Sequence, residues 1–341
     1  MKILYSNVII QNLGWGAEYF VNRSFQKLGY ETFCIDYRFY RHNLIHQYLD
    51  LPDFDVFFLQ RGDNFPIYIL KSINIPRFFW ASELVARCKD QDRLFKSGLF
   101  NHIFVRTGLC KKKIIDNGWT DPSSLSILYS GFDESVFKPN FGIIKDIDIL
   151  FVGTITPRRK MFLDHIAKYY KVFVTSEFGE KLVSLINRSK IILNIHADHF
   201  LDIETRVFEV LGCGGFLLSE QLSPENPFDN NDLIQFSTEE ECIEKIEHYL
   251  KNNDARSLIS QNGYKKALSE HTYLHRAQEI IQVMEKHIAQ NNPPNTTLNN
   301  EYLKRYIPLE FVSGSLIFPL SSLKNRLLYK IKSVINKRNL S

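Results

Sequence analysis

Apolar segments recur along the chain at intervals that leave room for a helix between neighbouring segments. Five of them precede residue 110 and five follow residue 145. Short apolar runs that alternate with spacers of helix length are typical of a parallel α/β sheet. The ten predicted strands cover residues 2–9, 33–36, 56–60, 77–80, 103–106, 147–153, 171–175, 191–195, 215–219 and 233–236.

The chain has 341 residues, which exceeds what one hydrophobic core usually organises. Two series of strands therefore predict two Rossmann-like domains, with a boundary near residues 139–145. We assign residues 1–142 to the first domain, 143–273 to the second, 274–290 to a helix that returns to the first domain, and 291–341 to a linker and a basic tail.

Composition indicates a globular protein. Apolar residues make up 44% of the chain and aromatic residues 13%, and no window holds the roughly 18 uninterrupted apolar residues of a membrane span. The N-terminus suits a buried strand better than a signal peptide. Five cysteines without a C-x-x-C pair indicate neither a disulfide framework nor a zinc knuckle. We therefore expect a cytoplasmic protein with reduced thiols.

The formal charge of +4 is concentrated at the C-terminus. Residues 296–341 hold eight Lys/Arg and two Glu, so the remaining chain is nearly neutral and a general nucleic-acid-binding surface is not expected. The tail has apolar residues at near-helical spacing between its lysines and arginines. Such an amphipathic helix either lies on an anionic membrane surface or packs its apolar face on the protein body.

Residues 187–220 form the most informative segment. The apolar run 191–195 predicts a buried strand, and residues 205–211 predict a helix that ends at Gly212. Arg206 and Glu209 are three residues apart, so they share one face of this helix. A second ordered motif, SGFDESVFKP, covers residues 130–139 and is suited to a turn that sets the geometry between the domains.

Both motifs carry a resemblance to a known family. The chain resembles the group 1 glycosyltransferases of GT-B fold in two places. One is the L-N-I-H strand followed by R-x-F-E-x-L-x-x-G, and the other is the segment 130–139, which is similar to N-G-V-D-x-x-x-F-x-P. The resemblance is closest to the branch typified by the spore-maturation protein CgeB. It implies two Rossmann-like domains facing a cleft, and an enzyme of EC class 2.4. Such an enzyme moves a sugar from a nucleoside diphosphate sugar to a glycan, lipid-linked or protein hydroxyl, mainly with retention and without a metal ion.

Four residues of the resembled helix region concern the donor. The resemblance implies that Glu209 accepts hydrogen bonds from the ribose hydroxyls and that Arg206 pairs with a phosphate. The family usually has a second glutamate eight residues before Glu209, and this chain has Leu201 there. Gly214 fits either a close approach to a nucleotide or an ordinary helix end.

Two further segments are candidate donor sites. Gly14 and Gly16 follow the first strand and allow backbone amides to approach an anion, although an ordinary tight turn explains them as well. The segment FVGTITPRRK places Gly153 and Thr154 at a strand end, where Arg158 and Arg159 could reach a diphosphate. The alternative for these cations is a solvated charge run at a helix start.

Candidate catalytic residues come from three other strand ends. Ligands of open α/β sheets bind at the carboxyl ends of the strands, which favours Asp63 and Glu83 as a general base or as acceptor-orienting groups, with helix capping as the alternative. His196 is a candidate donor contact or a satisfied strand-end histidine. Its His-x-x-His spacing with His199 lacks the further ligands of a metal site.

Two other classes of function stay open from the sequence alone. The replacement at Leu201 suits a catalytically silent scaffold or sensor in polysaccharide assembly. A nucleotide-sugar epimerase would use a related two-domain fold and would convert the donor without an acceptor.

Overall fold

The computed structural model describes residues 1–85, 88–290, 296–308 and 310. Over these residues the chain forms two parallel sheets, which confirms the predicted α/β architecture. The first sheet has the strand order β2-β1-β3-β4-β5-β6 and the second β11-β10-β9-β7-β8. The strands are β1 (Lys2–Asn7), β2 (Glu31–Asp36), β3 (Val56–Gln60), β4 (Arg77–Ala81), β5 (His102–Val105), β6 (Leu125–Ile127), β7 (Ile147–Val152), β8 (Val172–Thr175), β9 (Ser189–Asn194), β10 (Leu217–Glu220) and β11 (Ile234–Phe236).

Helices connect most successive strands within each sheet, whereas a loop without a helix joins β10 to β11. The described helices are α1 (Ala17–Lys27), α2 (Leu44–Tyr48), α3 (Ile67–Ser72), α4 (Asp92–Phe95), α5 (Gly108–Asp116), α6 (Pro157–Ile166), α7 (Gly179–Arg188), α8 (Thr205–Gly212), α9 (Glu239–Lys251), α10 (Asn253–Glu270), α11 (Tyr273–Gln290) and α12 (Asn300–Lys304). All five residues of β3 are buried, as expected for a central parallel strand that is covered on both faces.

The helix α11 is the predicted crossover helix. Its buried residues Tyr273, Ala277, Ile280, Ile281 and Met284 follow a helical spacing and form one apolar face. This face packs in the first domain, where the Tyr273 ring stacks on that of Phe20 at 5.7 Å between centroids. The chain thus returns to the first domain after the second sheet is complete.

Residues 296–308 pack on the first domain instead of forming the linker that the sequence suggested. Leu303 is fully buried there, and the Thr297 hydroxyl accepts a hydrogen bond from the backbone N–H of Phe54 at 2.8 Å. The Tyr306 ring stacks on Tyr68 at 4.7 Å. Polar linker composition concealed these few anchoring residues. The predicted amphipathic basic helix lies outside the described residues.

The sequence pattern located ten of the eleven strands in the described residues to within two residues at each end and missed β6. Only three residues form β6, and they alternate too briefly to give a periodic signal. Among the described residues, no helix has both the length and the apolar character needed to cross a membrane.

Candidate active site between the two domains

A cavity of about 210 Å³ lies between the carboxyl ends of the two sheets. The first domain supplies most of its wall, while α8 and the start of α11 close the other side. The lining residues are Asn12, Gly16, Ala17, Glu18, Phe20, Arg61, Trp80, Ser82, Glu83, Arg106, Ser130, Thr205, Glu209 and Tyr273. The cavity therefore lies where the parallel α/β fold usually places its ligands.

Arg61 lies between two carboxylates in the wall of the first domain. Its Nε donates to Glu18 Oε1 at 2.9 Å, and its Nη1 donates to Glu83 Oε1 at 2.6 Å. Burial would lower the pKa of Arg61, but Glu18 and then Glu83 outweigh burial and raise it. Glu18 is buried and Glu83 is partly exposed, so one guanidinium ties an inner carboxylate to an outer one.

The backbone at Arg61 is strained. Its φ is +71°, in the left-handed region that non-glycine residues rarely adopt, and Gly62 follows with φ +79°. A Cβ at Gly62 would lie 2.7 Å from side-chain atoms of both Phe79 and Leu94. Such strain is concentrated at functional sites, where the surrounding structure holds it in place.

Asp63 and Glu83 occupy different surroundings, although the sequence suggested the same catalytic role for both. Glu83 lines the cavity. Both oxygens of Asp63 accept hydrogen bonds from Arg38 Nη2 at 2.5 Å, and the Tyr37 hydroxyl lies 3.4 Å from Asp63 Oδ1. The structure thus brings Glu83 to the cavity, while Asp63 forms an ion pair with Arg38.

The glycine-containing loop before α1 contributes Gly16 to the cavity wall. Gly16 is the N-cap of α1 and has φ +106°, a conformation that a side chain would strain. Gly14 has φ +69° but is not among the cavity-lining residues. Between them, the Trp15 ring packs against Phe20 at 5.2 Å and Phe137 at 6.2 Å. This aromatic contact fixes the loop beside the segment that joins the domains.

Helix α8 brings Arg206 and Glu209 together, as their spacing predicted. Arg206 Nη1 donates to Glu209 Oε2 at 2.6 Å, and Glu209 lines the cavity. Burial raises the pKa of Glu209, and the Arg206 charge opposes that rise. The pair therefore offers a partly shielded carboxylate with a cation beside it.

The glycines after α8 pack closely against the interdomain segment. A Cβ at Gly212 would lie 2.4 Å from the Phe132 ring, and one at Gly214, whose φ is +64°, would lie 3.2 Å from Pro139 Cγ. These contacts give the glycines a definite packing role. They hold the end of α8 against the motif at residues 130–139.

The two arginines after β7 bind protein groups of the second domain. Arg158 forms an ion pair with Glu220 and donates from Nη1 to the His196 carbonyl at 2.9 Å. Buried Arg159 donates to the carbonyls of Ile195 at 2.8 Å and Thr154 at 3.1 Å. Its Nη1 lies 3.2 Å from the position of a Cβ on Gly153. Both arginines thus brace the strand ends that the sequence proposed for the diphosphate.

His196 is buried at the end of β9. Its Nε2 lies 2.9 Å from the Gln221 carbonyl oxygen, which accepts a hydrogen bond from it, and the backbone N–H of His196 donates to Glu220 at 2.9 Å. Within the described chain, the other ring nitrogen, Nδ1, has no hydrogen-bond partner. His196 is not among the residues that line the cavity.

Arg106 connects the two domains across the cavity. It follows β5, and its Nη2 lies 3.1 Å from Asp202 Oδ2 and donates to the Ile203 carbonyl at 3.0 Å. Both side chains of this ion pair are buried. Arg61 and Arg106 lie at the ends of predicted strands, but neither they nor Glu18 were among the predicted catalytic or donor-binding residues. Helical spacing points to Thr205 as a neighbour of Glu209, since the two are four residues apart on α8. Nothing in the sequence signalled Ser130 or Tyr273 as neighbours of Glu209.

No group of three or more His, Cys, Asp or Glu side chains within the described ranges is arranged to hold a metal ion. The cavity wall instead carries hydroxyl, carboxylate and guanidinium groups from both domains. These groups suit the binding of a polyhydroxylated substrate through hydrogen bonds.

Two Rossmann-like sheets that face a cleft, joined by a returning helix, define the GT-B architecture. Residues 157–282, which are less than half of the chain, match the model of a family described as glycosyl transferase-like. No curated protein sequence is significantly similar to the chain.

Solved structures show the same fold at low identity. A sucrose-phosphate synthase from Thermosynechococcus elongatus superposes with a TM-score of 0.64 at 8% identity, over 85% of this chain and 100% of that one. HepE from Anabaena in complex with UDP gives 0.58 at 12%, over 84% and 100%. An α-glucosyltransferase in complex with UDP-glucose and DNA gives 0.63 at 12%, over 83% and 98%. These superpositions confirm the GT-B fold.

Proposed function

We propose that this chain transfers a sugar from a nucleoside diphosphate sugar to a hydroxyl acceptor. The observation that carries the proposal is the cavity between the domains, where Glu209, which is paired with Arg206, faces the wall that contains Arg61 and Glu83. Solved neighbours bind UDP or UDP-glucose, so uridine is the first base to test. On its quoted motifs, we place the chain nearest the CgeB-like branch.

The second domain holds the donor in this proposal. The Glu209 carboxylate accepts hydrogen bonds from the ribose hydroxyls, and Arg206 pairs with a phosphate. Gly214 of the second domain and Gly14 and Gly16 of the facing first domain allow close backbone approach to the nucleotide.

The diphosphate end of the donor site consists of Gly153, Thr154, Arg158 and Arg159. Arg158 reaches it by exchanging its ion pair with Glu220 for one with phosphate. Cations at this position stabilise the negative charge that develops on the leaving diphosphate.

Transfer proceeds with retention in this proposal. The acceptor oxygen attacks the anomeric carbon from the face of the leaving group, the bond from that carbon to the diphosphate oxygen breaks, and the acceptor proton passes to the diphosphate. Glu83 orients the acceptor because it lines the cavity. Asp63 and His196 do not line the cavity and are the further candidate catalytic residues. The acceptor is a glycan, a lipid-linked saccharide or a protein. A cytoplasmic enzyme whose basic tail contacts an anionic membrane would meet a lipid-linked acceptor at the surface.

A turnover assay tests the proposal. The protein is incubated with UDP-, GDP-, ADP- and dTDP-sugars, with and without saccharide acceptors, and the released nucleotide and the anomeric products are identified by chromatography and NMR. We expect nucleotide release with one donor family and its loss in Glu209→Gln, while Glu244→Gln on the exposed face of α9 keeps wild-type turnover. Donor conversion without nucleotide release would contradict transfer and indicate an epimerase. No turnover of any donor would indicate the silent scaffold.

A further inference from the structure

The wall of the cavity in the first domain holds buried polar atoms that lack partners. Considering the described residues alone, Glu18 Oε2, Trp80 Nε1 and Arg106 Nε have no hydrogen-bond partner. Glu18 and Trp80 are 1% exposed and Arg106 is 7% exposed, and all three line the cavity. Leaving a buried polar group unpaired costs about 1–3 kcal/mol. Three such groups around one cavity indicate a ligand that supplies the missing partners.

The missing partners include both a hydrogen-bond donor and hydrogen-bond acceptors. Glu18 Oε2 requires a hydrogen-bond donor, whereas the indole N–H of Trp80 and the Nε–H of Arg106 require acceptors. A hydroxyl group both donates and accepts, so a compound with several hydroxyls can satisfy all three. The stacked rings of Phe20 and Tyr273 also line the cavity and offer an apolar surface to the C–H groups of such a compound.

The charges of the cavity favour a neutral ligand. Arg61 is already paired with Glu18 and Glu83, and Arg106 is paired with Asp202. No cation of this wall is left over to balance a phosphate, and the carboxylates would repel one. The volume of about 210 Å³ is also below the roughly 300–1,000 Å³ of sites for drug-sized ligands. It suits one sugar ring better than a complete nucleotide sugar.

We infer that Glu18, Trp80 and Arg106 form a subsite for a neutral sugar ring of the acceptor, in which Glu18 Oε2 and the Trp80 indole N–H hydrogen-bond neighbouring hydroxyls. This inference rests on the proposed function, because it assigns the acceptor class to the same cavity. Arg61 is a positioning residue in it, since it holds the Glu18 carboxylate through Oε1 and leaves Oε2 open. The acceptor is accordingly a carbohydrate rather than a serine or threonine side chain of a protein.

NMR of the three indole N–H groups tests the subsite without a turnover assay. The chain contains Trp15, Trp80 and Trp119, and the Trp80 signal is assigned from its loss in Trp80→Phe. The probes are methyl glycosides of glucose, galactose, mannose and N-acetylglucosamine, with N-acetylserine amide and inorganic phosphate for comparison, each with and without UDP. We expect at least one glycoside to shift the Trp80 signal while the Trp119 signal stays in place.

Two substitutions measure the contribution of each group. Glu18→Gln keeps the shape of the side chain, and Trp80→Phe keeps an aromatic ring while it removes the indole N–H. Each should weaken glycoside binding about tenfold or more while UDP binding is unchanged. Glu279→Gln is the control for Glu18→Gln, because Glu279 also pairs with a buried arginine but lies outside the cavity. Trp119→Phe is the control for Trp80→Phe. Both controls should keep wild-type affinity.

The outcomes separate this inference from the proposed function. If UDP binds but no glycoside shifts the Trp80 signal, or if N-acetylserine amide or phosphate shifts it instead, the sugar subsite is wrong and the donor site stands. Wild-type glycoside affinity in both variants would also overturn the subsite. If glycosides bind through Glu18 and Trp80 but no nucleotide binds, the subsite stands and the transferase proposal fails.

Discussion

The polar and charged groups of the two domains differ in whether they already have partners within the protein. In the second domain, Arg158 and Arg159 come from a recognisable motif but are engaged by Glu220 and by backbone carbonyls. In the first domain, no family motif marks Glu18 or Trp80, yet both carry buried polar atoms without partners in the described structure. The arginines of the recognisable motif thus stabilise the strand ends of the second domain. The wall of the first domain, which no family motif marks, has polar atoms that are available to a ligand.

The comparison shows which site residues a local sequence motif can identify and which only the folded structure brings together. A motif such as P-R-R-K announces cations, but only the fold decides whether they meet a substrate or a neighbouring strand end. Glu18 and Trp80 are 62 residues apart in sequence and reach one cavity only because β1 and β4 lie in the same parallel sheet. Open polar atoms are therefore a better guide to the ligand than charge in the sequence.

Removing the cation of the first wall should have the largest effect. Arg61→Met leaves the buried Glu18 carboxylate without its counter-ion, so we expect a loss of about 3 kcal/mol in the free energy of unfolding. Urea unfolding measures this loss. Arg188→Met is the control, because its partner Asp146 is exposed and such surface pairs contribute about 0–1 kcal/mol. Equal stability of the two variants would contradict the role assigned to Arg61.

Crowding the turn after α8 should have an intermediate effect on the other wall. A methyl group at Gly212 would lie 2.4 Å from Phe132, so Gly212→Ala should cost about 1–3 kcal/mol of stability. Phe132→Leu in the same chain should recover part of this cost, because the two positions share one contact. Thermal unfolding of the four variants of this cycle provides the measurement. Additive losses would mean that the glycine does not act through Phe132.

The pH dependence of two carboxylates in the second domain should give the smallest and most specific effect. Burial raises the pKa of Glu209 despite Arg206. Burial would also raise the pKa of Glu220, but hydrogen bonds from Arg158 and from the His196 backbone lower it. As the pH rises above the usual glutamate range, the wild type should therefore lose stability relative to Glu209→Gln.

Glu220 should show the opposite trend. Its carboxylate stabilises the fold above the pKa of an unfolded glutamate, and this stability is lost as the pH falls through the lowered pKa of the folded state. The wild type should accordingly lose its advantage over Glu220→Gln on acidification. Urea unfolding between about pH 3 and 8 compares the variants, since the Glu220 effect falls below the usual glutamate pKa and the Glu209 effect above it. Slopes of the same sign for both pairs would contradict the opposite pKa shifts of Glu209 and Glu220.

The fold was largely predictable from the sequence, because buried parallel strands leave continuous apolar runs. Pairing of Arg206 with Glu209 was predictable from helical spacing. The engagement of Asp63 by Arg38 and of Arg158 by Glu220 was not, since these partners are 25 and 62 residues apart. Packing of residues 296–308 on the first domain was likewise hidden, because it depends on a few anchors such as Leu303 within a polar segment.

Nucleotide binding to the second domain is the measurement that tests the central claim most directly. Thermal stability of the wild type and of Glu209→Ala is compared with UDP, GDP, ADP and dTDP and their sugars, since a ligand at 100 times its Kd stabilises by about 2.7 kcal/mol. We predict that one nucleotide family stabilises the wild type and that Glu209→Ala loses most of this effect. A folded wild type that no nucleotide stabilises would contradict the claim.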